Sequence, residues 1–391
     1  MVNLIPTENW EFGLIDAIFG LNAIFKSSDS FLINIPGLGE AIPVRSGRVA
    51  LVEAIKALKL KKGSKIGVPL YNCPAVLKSI TYTGCQPVFI DIDPNTLCIS
   101  PDDLQLKLST LSAIIVVHMF GNICDIPKIK KIAYNIPIIE DCAQAIGSKL
   151  NGKYAGSFGD VAIFSFRSGK YLSVGEGGAI YSNKKNVFSR AYLSISKFKT
   201  ISKSEEIAHI VKTYIRNKLR NPPFFGTVGL PIWKNYNSKT STINQTPIII
   251  GRIYKSDYFN TNKRIKYLPK NIKKQQNNTQ LYNNVLKNLK LDITYNKKNI
   301  FNCYLYYIVL PTIQDRDVLD QYLFQNNICA IKPYQNCVEV GRSLFGYKRD
   351  CPVTENISKR IICIPSHYRL KRSEVDNISS LLKTGLQQIL H

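Results

Sequence analysis

The chain has 391 residues, of which 45% are hydrophobic and 10% aromatic, as in globular proteins that bury a sizeable core. Lysine and arginine number 52 against 27 acidic residues, giving a formal charge of +25. The apolar runs are too short for an integral membrane segment, and the acidic start MVNLIPTENWEFGLID is unlike a secretory signal, so we expect a cytoplasmic protein.

The ten cysteines are scattered, without a CxxC pair or a histidine cluster at metal-ligand spacing. This pattern is typical of reduced thiols that serve as small apolar side chains, so we expect neither a metal site nor a disulfide framework. The positive charge is concentrated at 184–220 and 263–298. Such an excess attracts phosphates, anionic lipid or nucleic acid, or simply reflects biased composition.

Strand-like and helix-like segments alternate regularly over residues 46–183. In chain order we predict a helix in SGRVALVEAIKALKL, the strand KIGVPL, a helix over 74–83, the strand PVFIDID, a helix from Pro101, the strand AIIVVH, a helix over 127–134, and the strands PIIED, DVAIFSF and GGAIYSN. This order predicts a mainly parallel sheet with helices on both faces. Ligands of such sheets bind beyond the carboxyl ends of the strands.

The pattern weakens beyond residue 183, in a basic region that ends in the turn-rich NPPFFGTVGLPIW. It then predicts a helix over 254–289, the strand CYLYYIVLP, the helix RDVLDQYLFQN, the strand RIICIPSHY and a final helix in SEVDNISSLLKTGLQQIL. We therefore predict a large α/β domain over 1–240 and a smaller C-terminal α+β domain over 241–391, with segment 1–40 able to pack on the small domain.

Four chemical groups fall at the predicted sheet edge. Asp141 ends a buried strand, where a carboxylate needs a cation or strong donors. SGR, from Ser46, opens a helix whose N-terminus favours an anion, and Ser165 adds a hydroxyl. Lys170 follows on a loop between two strands. A lysine in this position can form a Schiff base if partial burial and a nearby charge, such as that of Arg167, keep its amine neutral.

Each of these features has an ordinary structural explanation by itself, since glycine-rich turns and strand-end acids are common. Their order and spacing, however, make the chain resemble the DegT/DnrJ/EryC1/StrS family of pyridoxal 5'-phosphate (PLP)-dependent sugar aminotransferases. The matching motifs are SGRVAL, PVFIDIDPNTLCISPDDL, VVHMFGN, IIEDCAQAIG, GSFGDVAIFSF followed by Lys170 and GEGG, and CPVTENISKRIICIPSHYRLKRSEVDNISSLL.

The resemblance implies an aspartate-aminotransferase-like fold (fold type I): a large PLP-binding α/β domain with a mainly parallel central sheet, a small C-terminal α+β domain, and a homodimer with sites at the subunit interface. It implies transfer of an amino group, usually from glutamate, to a nucleotide-linked keto-sugar in amino-sugar or polysaccharide biosynthesis. The retained lysine favours amino transfer over the dehydration carried out by relatives with histidine at that position.

The same resemblance assigns roles to individual residues. Lys170 would hold PLP as the internal aldimine and move the substrate proton. Asp141 would bind the pyridine nitrogen, and Gln144 would lie on the O3′ side of the ring. Gly47 and Ser165 would bind the phosphate.

The chain departs from the family pattern at several cofactor positions. Arg48 replaces a threonine, so it either contacts the phosphate or points outward. Cys73 replaces the aromatic residue that stacks on the ring, unless Tyr71 takes over that role. Arg167 and Tyr171 change the surroundings of the lysine.

Two further residues are weaker site candidates. His118 fits a structural imidazole bonded to backbone better than a catalytic base. By the resemblance, Arg252 matches the arginine that the neighbouring subunit contributes in the family.

The alternative hypothesis is a non-catalytic family member whose basic surface binds nucleic acid or anionic membrane. Its best feature is HIVKTYIRNKLRNPPFFGTVGLPIW, a basic helix followed by apolar residues. The enzyme hypothesis, by contrast, expects no nucleic-acid partner.

Overall fold

The computed structural model of the chain describes residues 3–26, 32–232, 247–289, 294–295 and 301–390. The predicted domain boundary near residue 240 lies outside these residues, and the division into 1–240 and 241–391 stays a prediction. Among the helices of these ranges, none combines the length and apolar character that crossing a bilayer requires.

The regular alternation predicted from the sequence is present. The helices are α1 (Leu14–Ile24), α2 (Gly47–Ala57), α3 (Pro74–Tyr82), α4 (Pro101–Lys107), α5 (Ile126–Ala133), α6 (Lys185–Ser196), α7 (Lys203–Leu219), α8 (Lys255–Ile265), α9 (Leu268–Leu289), α10 (Ile313–Gln325), α11 (Cys337–Phe345), α12 (Pro352–Arg360) and α13 (Arg372–Leu390). Short 3-10 turns cover Leu108–Thr110 and Met119–Gly121, and a π turn covers Phe225–Gly229.

The strands form one large sheet and several small ones. They are β1 (Ile5–Pro6), β2 (Ile33–Ile35), β3 (Gly39–Val44), β4 (Lys65–Pro69), β5 (Gln86–Ile90), β6 (Ala113–Val117), β7 (Ile138–Asp141), β8 (Lys149–Leu150), β9 (Lys153–Tyr154), β10 (Val161–Ser165), β11 (Gly178–Tyr181), β12 (Thr294–Tyr295), β13 (Tyr306–Val309), β14 (Ile328–Cys329) and β15 (Ile361–Ile364).

Eight of these strands make the central sheet, in the order β2-β3-β11-β10-β7-β6-β4-β5. The pairs from β10 to β5 are parallel, whereas β11, β3 and β2 are antiparallel to their neighbours. Strand β6 is buried at every residue, as a parallel strand covered on both faces must be. The predicted α/β fold with a mainly parallel sheet is confirmed.

The C-terminal part has its own apolar cluster. Strand β13 pairs with β12 and β15, and the cluster around it includes Tyr306, Leu319, Ile362 and Leu382. The N-terminal strand β1 pairs with β14 of this part, while α1 packs on α7 and α8.

Several elements differ from the predictions, among them α1, α11 and α12, which the sequence did not predict. The helix predicted over 254–289 is two helices, α8 and α9, because Pro269 lies at the second residue of α9 and cannot donate the backbone hydrogen bond that a continuous helix requires there. The weakly patterned stretch after residue 183 contains α6, which the sequence did not predict, and α7.

Candidate active site

A cavity of about 1030 Å³ opens at the carboxyl ends of the parallel strands. Val117, Asp141 and Ser165, the last residues of β6, β7 and β10, line it. The residues predicted from the sequence all line this one cavity: Gly47, Arg48, Cys73, Asp141, Gln144, Ser165 and Lys170. The fold therefore brings together groups that are up to 123 residues apart in the chain (170 − 47).

Lys170 lies on the loop between β10 and β11, as predicted. Its backbone N–H donates to the carbonyl of Arg167 at 2.9 Å, and its Nζ lies 5.0 Å from the ring centroid of Tyr304. Two causes together lower the pKa of Lys170 to about 8: burial, which has the larger effect, and the neighbouring Arg167 guanidinium. The amine is consequently much easier to deprotonate than that of a solvated lysine.

Gly169 allows this loop to adopt its conformation. Its φ is +89°, and a Cβ there would lie 2.9 Å from Oε2 of Glu8 and 3.0 Å from Nε1 of Trp10. Glycine is therefore required both by the left-handed backbone and by the close approach of the N-terminal segment.

Asp141 is the buried last residue of β7. Its Oδ1 accepts a hydrogen bond from the backbone N–H of Ala143 at 3.0 Å. Burial raises the pKa of this carboxyl, while the Ala143 N–H, Lys170 and His118 oppose the shift. A cation placed against Asp141 from the cavity would stabilise its charged form.

The N-terminus of α2 and Ser165 form a place for an anion. The Ser46 hydroxyl accepts from the N–H of Val49 at 3.3 Å and so begins the helix beside the cavity. A Cβ at Gly47 would lie 2.9 Å from the Cβ of Ser165, so glycine is needed for the two elements to meet. Arg48, on the first turn, lines the cavity and adds a cation.

Gln144 and Cys73 occupy two further sides of the cavity. The Gln144 Oε1 accepts from the N–H of Phe120 at 3.2 Å, and its Nε2 donates to the Tyr334 hydroxyl at 3.3 Å. Cys73 is exposed and precedes α3, whereas Tyr71 is fully buried and donates to the carbonyl of Pro333 at 2.9 Å. Cys73 lines the cavity, and Tyr71 is not among the described residues that line it.

His118, Glu140 and Cys142 approach one another closely enough to suggest a metal site. Hydrogen bonds account for the positions of His118 and Glu140. Nδ1 of His118 accepts from the N–H of Cys124 at 3.2 Å, so Nε2 carries the proton and donates to Glu140 at 3.0 Å. Glu140 also accepts from the N–H groups of Gly156, Phe158 and Gly159. These hydrogen bonds connect the carboxyl ends of β6 and β7, in keeping with the structural role expected for His118.

Several cavity residues were not found from the sequence: Glu8, Trp10, Arg216, Arg220, Tyr304, Lys332 and Tyr334. They come from the N-terminal segment, α7 and the C-terminal part, where no local motif distinguishes them. Arg252, which the resemblance matched with the neighbouring subunit's arginine, donates to the carbonyls of Ser196 at 2.6 Å and Phe198 at 2.9 Å in its own chain.

Comparison with known proteins agrees with the motifs. The sequence model of the DegT/DnrJ/EryC1/StrS aminotransferase family matches residues 32–215 and 260–383. GDP-perosamine synthase of Escherichia coli O157:H7 is 40% identical over 153 residues, which are 38% of this chain and 42% of that protein. UDP-N-acetyl-3-dehydro-alpha-D-glucosamine 3-aminotransferase of Acidithiobacillus ferrooxidans is 34% identical over 171 residues, 43% and 46% of the two chains. The matched part thus spans less than half the length of these curated relatives.

Solved structures show the same fold over nearly the whole chain. The PMP-form of a putative sugar aminotransferase from Streptococcus pneumoniae superposes with a TM-score of 0.77 at 17% identity, covering 98% of this chain and all of that one. A 3-amino-5-hydroxybenzoic acid synthase superposes with a TM-score of 0.76 at 18% identity, covering 99% of this chain and 100% of the other. With the family match over most of its length, the chain belongs to the DegT/DnrJ/EryC1/StrS aminotransferase family.

Proposed function

We propose that the chain is a PLP-dependent aminotransferase that moves an amino group from glutamate to a nucleotide-linked keto-sugar, in the biosynthesis of amino sugars or polysaccharides. The observation that carries the proposal is the meeting, in one cavity, of a lysine with a depressed pKa, a buried carboxylate and an anion-binding helix start.

The residues present fit PLP. Among the described residues, Lys170 and His118 offset the effect of burial on the Asp141 carboxyl only in part, because its pKa stays raised. A protonated pyridine nitrogen would supply a further cation. The close contact of Gly47 with Ser165 leaves the α2 N-terminus and a hydroxyl side by side, which suits a phosphate. When bound, PLP supplies an electron-withdrawing ring that stabilises negative charge on the substrate carbon.

The chain's own residues then hold and move groups around the cofactor. The Lys170 Nζ would attach the cofactor covalently. When the amino donor has taken its place on the cofactor, the freed amine would accept the proton that leaves the donor. Asp141 would keep the ring nitrogen protonated, and Gln144 would orient the ring from its O3′ side. Arg48 would assist Gly47 and Ser165 in binding the phosphate, and we place the Cys73 thiol against the ring.

The names of two relatives support the proposed substrate. One is a synthase of GDP-perosamine, and the other is an aminotransferase for a UDP-linked dehydro-sugar. The +25 charge would attract such a ligand, since it carries a diphosphate. The meeting of the predicted groups in one cavity favours this function over the non-catalytic alternative, which gives Lys170 and Asp141 no use.

The test is a screen of nucleotide-linked keto-sugars with PLP and ¹⁵N-labelled glutamate, followed by mass spectrometry. We expect at least one acceptor to gain a labelled amino group, with 2-oxoglutarate formed in equal amount. Absence of transfer to every keto-sugar tested, with a cofactor-loaded protein, would refute the sugar-aminotransferase proposal.

The depressed pKa of Lys170 leads to a prediction about pH. Since only the neutral amine attacks an aldehyde, the apo protein should take up PLP faster as pH rises, with a midpoint at about 8. Burial and Arg167 set this value, so Arg167→Met should move the midpoint upward, toward the 10.5 of an ordinary lysine. Lys130→Met, a surface change, should leave it in place. Stopped-flow absorbance measures the rate, and an unchanged midpoint in Arg167→Met would contradict this explanation.

We also propose a homodimer. The described residues present an apolar stripe along α1 and α7 that is open to solvent: Leu14, Ile15, Ile18, Leu21, Phe25, Ile207, Val211 and Ile215. Lys203 lies 5.1 Å from the Phe25 ring, so the two helices expose one continuous surface of the kind that marks a protein interface.

Sedimentation velocity tests this assembly. We expect a species of about twice 44.1 kDa for the wild-type chain. Ile15→Glu combined with Val211→Glu should shift it toward the monomer, because burying two carboxylates opposes association. Leu106→Glu, at an exposed leucine of α4, should not. A monomeric wild-type protein at micromolar concentration would overturn the proposal.

A further inference from the structure

The cavity has a basic corner that the cofactor roles do not use. Arg216 lies in the last turn of α7, Arg220 caps its C-terminal end four residues later, and both line the cavity. Their guanidinium carbons lie 5.4 Å and 4.9 Å from the ring centroid of Trp10. Trp10 is only 4% exposed, so it forms a rigid support for the two cations.

A third guanidinium adjoins this pair. Arg167 lies on the loop of Lys170, lines the same cavity and is 3.9 Å from Oε1 of Glu8. The other carboxylate oxygen of Glu8 accepts from Nε1 of Trp10 at 3.3 Å. Three guanidinium groups and the Glu8 carboxylate therefore lie at the same corner of the cavity.

Burial and mutual repulsion act on this corner. The pKa of Arg220 is lowered to about 10, first by burial, and Arg167 and Arg216 lower it while Glu8 opposes the shift. Guanidinium groups held together in this way gain from an anion that bridges them. An arginine side chain offers paired donors that match phosphate oxygens, which makes it suited to phosphate recognition.

The corner also lies close to the reactive lysine. Trp10 and Glu8 are the residues that press against Gly169, next to Lys170. Arg216, Arg220, Trp10 and Glu8 all fall outside the stretches that the family model matches, 32–215 and 260–383. The corner is therefore a feature of this chain's own less familiar segments.

We propose that Arg216 and Arg220, supported by Trp10 and joined by Arg167, form the binding site for the diphosphate of the acceptor substrate. This inference rests on the proposed function and deepens it, because it locates recognition of the nucleotide-linked ligand at the C-terminal end of α7. The oxygens of a diphosphate can accept hydrogen bonds from these guanidinium groups, and the sugar then extends from this corner toward Lys170.

The test uses the PLP-loaded full chain, so that the cofactor fills its own phosphate site. Isothermal titration calorimetry measures the binding of inorganic pyrophosphate, of UDP and of GDP. The test variant is Arg216→Met with Arg220→Met, which keeps the length of the apolar stems. Lys212→Met removes the same kind of charge from an exposed position of α7 and is the matched control.

We expect the double variant to bind pyrophosphate and the nucleoside diphosphates roughly tenfold more weakly for each arginine lost, as for charge-assisted hydrogen bonds. The control should change affinity by less than about twofold, as is typical of a screened surface charge. Arg216→Lys with Arg220→Lys should fall between them, because charge is kept and the paired donors are lost. Equal cofactor content and melting temperature establish that the variants are folded.

Glutarate distinguishes the second possible source of negative charge, the dicarboxylate donor. If the double variant loses glutarate binding and keeps pyrophosphate binding, the corner serves the donor and the inference is wrong. Equal pyrophosphate binding in wild type and double variant also overturns it. These titrations need no turnover, so they test the subsite separately from the proposed function. Unchanged pyrophosphate binding in the double variant, with amino transfer intact, would reject only the subsite. Weakened binding without any amino transfer in the wild type would reject only the proposed function.

Discussion

Replacement of Lys170 by alanine is expected to abolish amino transfer, with a loss of roughly 10⁴-fold or more in kcat. Proton transfer by a positioned group alone is worth roughly 10²–10⁴-fold, and this variant also loses the amine that would hold the cofactor. Burial of Lys170 and the neighbouring Arg167 guanidinium provide the depressed pKa on which both roles depend, whereas the Asp141 carboxylate opposes the shift.

Two companion variants separate reactivity from charge. Lys170→Arg keeps a cation but cannot release its proton near neutral pH, so we expect it to be as inactive as the alanine variant. Lys61→Ala changes an exposed lysine and should retain wild-type activity. Steady-state assays with glutamate and an accepted keto-sugar nucleotide give the rates. Full activity in Lys170→Ala would show that the reactive amine lies elsewhere.

Asp141→Asn is expected to give the second largest effect, a loss of roughly 10²–10³-fold in kcat, the usual size for one preorganised electrostatic contact. Asparagine has nearly the same shape, and its oxygen can still accept from the Ala143 N–H, as Oδ1 of Asp141 does at 3.0 Å. What it removes is the negative charge that would keep the cofactor nitrogen protonated.

The measurement is kcat at saturating substrate, together with the cofactor content of the variant. Since Lys170 is intact, the variant should still carry covalently bound cofactor, which separates loss of chemistry from loss of binding. Asp102→Asn, with a side chain 84% exposed, is the matched control. More than about a tenth of wild-type kcat in Asp141→Asn would remove Asp141 from the proposed role.

The fold and the centre of the site could be predicted because their signals are local. The strand PIIED ends in Asp141, and SGR begins α2, so each motif contains both the element and the functional group. Parallel strands then bring their carboxyl ends to one edge regardless of how far apart they are in sequence. Glycines around Lys170 marked the loop in the same way.

The rest of the cavity could not be predicted because its members depend on packing between distant segments. Tyr304 donates to the carbonyl of Gly169 at 2.8 Å, across 135 residues, and no local pattern announces that contact. Arg216 and Arg220 lie at the C-terminal end of a basic helix whose sequence looks like a solvated surface. Only the packing of α7 near Trp10 turns these two side chains toward the cavity.

The most direct test of the central claim is to find which lysine holds the cofactor. The protein is loaded with PLP, reduced with borohydride and digested with trypsin, and the peptides are analysed by mass spectrometry. We predict one phosphopyridoxyl group on Lys170, within the peptide from Ser168 to Lys184, since trypsin does not cleave after a modified lysine. A label on another lysine, or no label on a folded protein, would contradict the assignment of this cavity as the active site.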